Sequence, residues 1–246
     1  MATVKEHYDA VLAEFYTWLY GGLDVGIATY SEFFRCHKIT PAGSGIAIDL
    51  GAGSGFQSIP LATIGFAVTA IDLNEHLLQE LTANSPPHAI RTIQDDLLNF
   101  DTHVISPAEL IICMTDTLLH LESKDKVRTL VQKVFTALAT NGKFIVTFRD
   151  LTQELTGLDR FLPVRSDPNT IFTCFLEYGT ETVTVHDIIY SNRAGKWQML
   201  RSCYPKLRLS GTWLEQCLAA NKFNIIESNH SHGLVTIIAG KSGSSS

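Results

Sequence analysis

Apolar and polar positions change rhythm twice along the chain, and each rhythm predicts a different kind of structure. Thr3 and Glu6 stand three apart ahead of an apolar stretch that runs to Tyr20, the spacing of a capping box at a helix start. Gly21-Gly22 are expected to stop that helix, and Asp24 to start a second one reaching about His37. TPAGSG, 40 to 45, then reads as a linker. From Ile46 onward short apolar runs alternate with helical patterns. IAIDL (46–50), AVTAIDL (67–73), AIRTIQDDL (89–97), LIICMTD (110–116) and KFIVTF (143–148) predict five strands. Segments 56–64 and 75–83 predict helices, with Pro60 in a first turn whose N–H groups have no helical partner. Val127, Leu130, Val131, Val134 and Leu138 recur at helical spacing, and Asn141-Gly142 are predicted to end that helix. Strands that alternate with helices predict a parallel sheet covered on both faces.

The alternation breaks after Asp150. Between residues 170 and 209 lie IFTCFLEY, ETVTVHDIIY and WQMLRSCYPKLRL, separated only by GT and SNRAGK. A run of strands without helices predicts antiparallel hairpins. A helix over 211–221 follows, then two last strands, FNIIESNH and GLVTIIAG, joined by a tight turn. KSGSSS, 241 to 246, has the composition of a disordered tail. The expected organisation is one domain over 1–240. It comprises a helical cap (1–40), an α/β core (46–150), an antiparallel β insertion over the substrate side (151–209) and a final helix with two strands (210–240).

Bulk composition narrows the classes. With 246 residues, 45% of them hydrophobic, the chain can bury a sizeable core. No apolar run approaches the ~18 residues of a membrane span, and MATVKEHYDA lacks the apolar centre of a signal peptide. A cytoplasmic protein with no membrane partner is therefore expected. Five cysteines (36, 113, 174, 203, 217) form no CxxC and are odd in number, which favours reduced thiols. His230 and His232 form an HxH pair with no third ligand nearby in sequence, so no metal is expected. A net charge of −6 lacks the electrostatic footprint of a nucleic-acid binder. Nine of the 19 Lys and Arg residues lie between Lys143 and Arg208, which reads as a solvated face of one part of the fold.

IAIDLGAGSGF, 46 to 56, carries the first chemistry. Glycine at 51, 53 and 55 marks a strand-to-helix loop that something approaches more closely than a Cβ allows, as at anion and dinucleotide sites. Phe56 occupies the place where a nicotinamide GxGxxG needs Gly or Ala, and no GK[ST] follows to make a P-loop. Asp72 ends the next strand 21 residues after Gly51, suited to two ribose hydroxyls. Asp95-Asp96-Leu97 end the third, where a carboxylate suits an adenine amino group and Leu97 the ring. Any one of these acids alone is equally a helix cap or a loop residue.

AIDLGAGSGFQSIPLATIGFAVTAIDLNEHLL resembles the glycine motif and following strand of class I S-adenosylmethionine (SAM)-dependent methyltransferases, and the likeness extends over about 46–150. It implies a Rossmann-like α/β fold with a seven-stranded sheet in the order 3-2-1-4-5-7-6, strand 7 antiparallel. It implies SAM as cofactor and S-adenosyl-L-homocysteine (SAH) as product. Around that cofactor it places Asp49, Gly51, Ala52, Gly53 and Gly55 at the methionine end, Asp72 and Leu73 at the ribose, and Asp96 and Leu97 at the adenine. Cys113 at the end of strand 4, and Tyr8 and Tyr16 from the first helix, complete the expected set.

Three further segments resemble the narrower glycine N-methyltransferase-like group. CMTDTLLHL (113–121) is similar to C-L-G-N-S-F-A-H-L, Phe148-Arg149-Asp150 to H-R-N, and CYPKL (203–207) to Y-Y-P-H. The likeness places a substrate-binding Asn position on Asp116, a His on His120, a carboxylate-binding Arg on Arg149 and a site tyrosine on Tyr204. Asp in place of Asn adds a negative charge, which favours a cationic amine or a hydroxyl needing a base. The arginine those enzymes direct at the SAM carboxylate has no match near Gly26 to Thr29; Tyr8, Tyr16, Trp18 and Tyr20 offer contacts there instead. The expected protein methylates a small polar molecule at an amine. Asp116 and His120 are its catalytic residues, and Arg149, Tyr204 and Tyr20 its substrate contacts. The competing readings are an O- or C-methyltransferase, or a SAM-fold module without catalysis. Each residue also has a structural reading: Asp116 as a turn cap, His120 as a packing histidine, and Arg149 in an ion pair with Asp116 or Asp150.

Overall fold

A computed structural model describes residues 2–85 and 90–243. Ala89, the first residue of the predicted third strand, and Ser244 to Ser246 of the predicted tail lie outside the described residues. The chain opens with α1 (Val4–His7), a π turn over Tyr8–Leu12 and α2 (Ala13–Leu19), followed by α3 (Leu23–Cys36). Thr3 and Glu6 form the capping box, each side chain bonded to the other's backbone.

The core alternates as predicted: β1 (Ile46–Leu50), α4 (Ser58–Thr63), β2 (Ala67–Asp72), α5 (Glu75–Asn84), β3 (Ile90–Gln94), β4 (Ala108–Cys113), α6 (Lys124–Ala137) and β5 (Leu138–Arg149). An antiparallel sheet of β6 (Phe161–Ser166), β7 (Thr170–Tyr178), β8 (Thr182–Arg193) and β9 (Lys196–Leu207) comes next. The chain closes with α7 (Gly211–Ala220), β10 (Phe223–Ser231) and β11 (Leu234–Lys241). The main sheet has the order β10-β11-β5-β4-β1-β2-β3, with β11 antiparallel to both neighbours. This is the expected order, with β10 and β11 as strands 6 and 7. Its central strands are buried on both faces, which is why IAIDL and LIIC are almost continuously apolar.

Several expected boundaries move, each for a local reason. β4 stops at Cys113 instead of 116, because Thr115 and Asp116 take left-handed conformations with φ of 55° and 67°. β3 stops at Gln94, leaving Asp95 to Leu97 in the following loop and turn. The helix before β5 ends at Ala137 with no glycine cap; Leu138 is already extended and pairs with Ala108. Asn141 and Gly142 instead make an irregularity inside β5, where a Cβ on Gly142 would lie 2.9 Å from the Ala139 carbonyl oxygen and 3.0 Å from that of Ala108. β6 escaped the periodicity reading because it is a sheet edge and holds Pro163, which an edge strand tolerates. Of SNRAGK only Ala194-Gly195 turn, both at positive φ; the flanking residues belong to β8 and β9. Lys241 belongs to β11 and not to a tail.

Candidate active site

The glycine loop sits at the carboxyl edge of the sheet, tied down by Gly51 and Ala52 N–H groups that both donate to the Ile71 carbonyl. Its glycines answer three different neighbours. A Cβ on Gly51 (φ 79°) would lie 2.3 Å from Thr117, and one on Gly53 (φ 51°) 3.0 Å from the Tyr16 ring. A Cβ on Gly55 (φ 89°) would lie 2.2 Å from Leu81 of α5. Gly51 and Gly53 line a cavity; Gly55 does not, and its absent side chain serves helix packing. Three other expected cofactor residues are also corrected. Asp49 is buried and accepts the Ser58 hydroxyl at 2.6 Å, and burial pushes its carboxyl up to about 7. Ala52 and Cys113 lie in the core, and none of these three lines the cavities described below.

Asp72, the last residue of β2, receives the Gly53 N–H on Oδ2 and the Asn74 N–H on Oδ1, both at 2.8 Å. Burial raises its pKa, and these backbone donors oppose that rise. Asp72 lines one cavity with Gly51, Gly53, Tyr8 and Tyr16. A second cavity holds Asp96 and Leu121, and the two share Leu73, Leu97 and His120. Asp96 Oδ1 accepts the Leu98 N–H at 2.8 Å, capping a short 3₁₀ turn. Its neighbour Asp95 is taken by Asn99 and His103. Val4 and Lys5 of α1 roof both cavities, and Asp9 holds Asn74 beneath them at 2.8 Å.

The donor set suits SAM. Gly51 and Gly53 keep side chains out of the space a methionine end would enter. A carboxylate whose oxygens each accept one N–H keeps lone pairs for ribose hydroxyls. Asp96, Leu73 and Leu97 supply an acceptor and apolar walls for an adenine.

A third cavity of about 380 Å³ lies between this edge and the antiparallel sheet. Tyr8, Tyr16, Thr115 and His120 line both it and the glycine-loop cavity, so the two meet there. Four expected residues, Asp116, Arg149, Tyr204 and Tyr20, line it as well. Tyr204 stacks on His120 at 5.5 Å and on His7 at 4.1 Å between ring centroids.

Lys206 of β9, absent from the sequence reading, changes the electrostatics. Its Nζ lies 2.8 Å from Asp116 Oδ2, and both side chains are only 10% exposed. Asp116 Oδ1 accepts the Arg149 N–H at 2.7 Å, and Arg149 Nε is 3.8 Å from Oδ2. Burial alone would raise the Asp116 pKa; Lys206 and then Arg149 outweigh it and hold the carboxyl well below the usual range. Asp116 is therefore ionised, engaged on both oxygens and unsuited to accept a proton. Its negative charge, expected to attract a cationic substrate, is neutralised by Lys206. It precedes a 3₁₀ turn but makes no side-chain cap there. Burial and the Lys206 charge lower His120 to about 3, so it is neutral, and its Nδ1 has no partner among the described residues. Asp187 of β8 also lines the cavity, with His7 Nε2 2.9 Å from Oδ2 and the Cys174 thiol 2.7 Å from Oδ1. A clue to Lys206 was present: two residues from Tyr204 on a strand, it faces the same side.

His230 and His232 do not converge; His230 lies 3.4 Å from Glu215, and His232 contacts Ser231. Among the described residues no cluster of His, Cys, Asp or Glu is placed to hold a metal, and no helix is long and apolar enough to cross a membrane.

Residues 47–142 match a family model described as a methyltransferase domain. The match covers β1 to β4 and the start of β5, the segment that carries the glycine loop and the strand-end acids. Over that segment the chain is similar to methyltransferase domains. A glycine/sarcosine N-methyltransferase from Aphanothece halophytica is 26% identical over 121 residues, 48% of this chain and 45% of that protein. The chain thus spans about half the length of the curated relatives it matches. Among solved structures, Streptomyces venezuelae DesVI superposes with a TM-score of 0.75 at 15% identity, covering 96% of this chain and 98% of its own. SAM-bound CalS10, an amino pentose methyltransferase from Micromonospora echinaspora, gives 0.70 at 14% identity over 89% and 91%. At such identities the methyltransferase domain and these structures share a fold.

Proposed function

We propose that the protein transfers the methyl group of SAM to an amine nitrogen of a small polar acceptor. SAM would lie along Gly51, Gly53, Asp72, Leu73, Asp96 and Leu97, with its sulfonium methyl toward the wall made by Tyr8, Tyr16, Thr115 and His120. SAM brings its own leaving group, so the protein's task is alignment and exclusion of water. Alignment of two reactants is worth up to ~7–11 kcal/mol of barrier. The third cavity, about 380 Å³, supports a small acceptor.

The state of Asp116 and His120 carries the choice of nitrogen. Oxygen methylation needs a base for the hydroxyl proton. Asp116 is locked by Lys206 and the Arg149 N–H, and His120 is held near 3. Lys206 and Arg149 offset the two acids of the cavity, Asp116 and Asp187, so no net negative charge holds an amine in its protonated form, and the uncharged amine's lone pair is the nucleophile. Neutral His120, whose ring borders both cavities, can accept an amine N–H on its unprotonated nitrogen and orient that lone pair.

The test is SAH release from SAM against two pools, one of amino acids and other amines, the other of phenols and hydroxy acids. Turnover in the amine pool is the expected result. Turnover among phenols alone overturns the nitrogen assignment while leaving the cofactor site standing.

A further inference from the structure

We propose that Lys206 is an acceptor-binding residue, the second arm of a two-cation clamp with Arg149 for a carboxylate on the acceptor. The proposal rests on reading the third cavity as the acceptor site, and adds to it which chemical group the acceptor presents beside its amine.

A lysine ammonium has three N–H donors. Among the described residues Lys206 Nζ makes one hydrogen bond, to Asp116 Oδ2 at 2.8 Å, with the Tyr204 ring 5.8 Å away. Its side chain is nine-tenths buried and the residue lines the cavity, so the remaining donors have only the cavity contents to bond. Unused donors on a buried charge are costly unless a ligand or water meets them. Arg149 borders the same cavity from a more exposed position. Its guanidinium side chain is 68% exposed on the same cavity and its nearest carboxylate is 3.8 Å from Nε.

Asp116 occupies one donor of Lys206, and Asp187, the other acid of the cavity, lies 2.9 Å from His7 Nε2 and accepts the Cys174 thiol on its other oxygen. Free donors on two neighbouring cationic side chains match a planar anion. A carboxylate can take one oxygen from each arm. Asp116 is the counter-ion that allows Lys206 to be buried.

The experiment uses the SAH-loaded full chain and reads melting temperature with acetate or glycine, against acetamide or glycinamide as uncharged counterparts. Lys206→Met alone strands Asp116, so the working variant is the pair Lys206→Met with Asp116→Asn, beside Arg149→Leu. The carboxylates are expected to stabilise the native protein and their amides not. Apparent carboxylate affinity should fall about thirtyfold in both variants, with SAH affinity by calorimetry unchanged. A response lost in Arg149→Leu but intact in the double variant overturns the role of Lys206. So does a native protein that does not distinguish carboxylate from amide. Neither result touches the nitrogen assignment, which the SAH-release pools decide separately.

Discussion

The Gly53 N–H donates to the Asp72 carboxylate at 2.8 Å, so a single side chain both sets the glycine loop and stands where a ribose is expected. Replacing Asp72 by alanine removes the loop's anchor and its ribose acceptor together. SAM affinity should fall about thirtyfold, or ~2 kcal/mol, by titration calorimetry. An unchanged affinity would remove Asp72 from the cofactor site.

Gly53 and Gly55 belong to one motif but meet different neighbours, and alanine separates them. At Gly55 the new methyl meets Leu81 at 2.2 Å with φ at 89°, so the fold should lose roughly 1–3 kcal/mol by urea denaturation. SAM affinity of the folded fraction should stay near the native value. At Gly53 the methyl enters the cofactor cavity beside Tyr16, and SAM affinity should drop first.

Asp116→Asn leaves Lys206 as an unpaired buried cation. Breaking such a pair costs on the order of 3–5 kcal/mol, a fall of about 10 °C in melting temperature for a chain of this size. Adding Lys206→Met should recover much of that loss, and the comparison measures the pair's coupling.

Arg149→Leu is expected to act on binding and little on stability, because its side chain is 68% exposed and its ion pair is loose. Acceptor KM should rise about tenfold or more while SAM affinity and melting temperature hold. A collapse in melting temperature would assign Arg149 to the fold instead.

The pH dependence has a defined sign. His120 has a folded pKa of about 3, below its ordinary value of 6.5. As pH falls through 6.5 the unfolded chain gains a proton that the folded chain refuses, so stability declines from 6.5 down toward 3. Asp49 acts oppositely. Its pKa of about 7 exceeds the unfolded value of 3.8, so its contribution declines as pH rises from about 4 to 7. His120→Gln should therefore flatten the acid side of a melting-temperature profile, and Asp49→Asn the neutral side. A His120→Gln profile that parallels the native one would show that His120 is not held neutral.

Much of this molecule was legible in its residues because the responsible signals are local. IAIDLGAGSGF announces a strand, a close backbone approach and a helix within eleven residues. Asp72 ends, and Asp96 closely follows, a strand that its apolar run reveals. Thr3 and Glu6 cap a helix through spacing alone. The misreadings arose where one residue type serves two geometries. Asn141-Gly142 is as good a helix stop as a strand irregularity, and only the carbonyls of Ala139 and Ala108 decide between them. Gly55 looks like a cofactor glycine until Leu81 is seen against it.

The order of events along the chain, the glycine loop and the acids at the strand ends were determined by the sequence itself, since each depends on neighbours a few residues away. The charge state of the acceptor cavity was decided only by tertiary structure. Asp116 and Lys206 are 90 residues apart and meet because β9 folds down against the end of β4. A carboxylate's protonation depends on the charges and solvent within a few ångströms, and no local pattern records them. For that reason a residue expected to serve as a base proves to be one half of a buried ion pair.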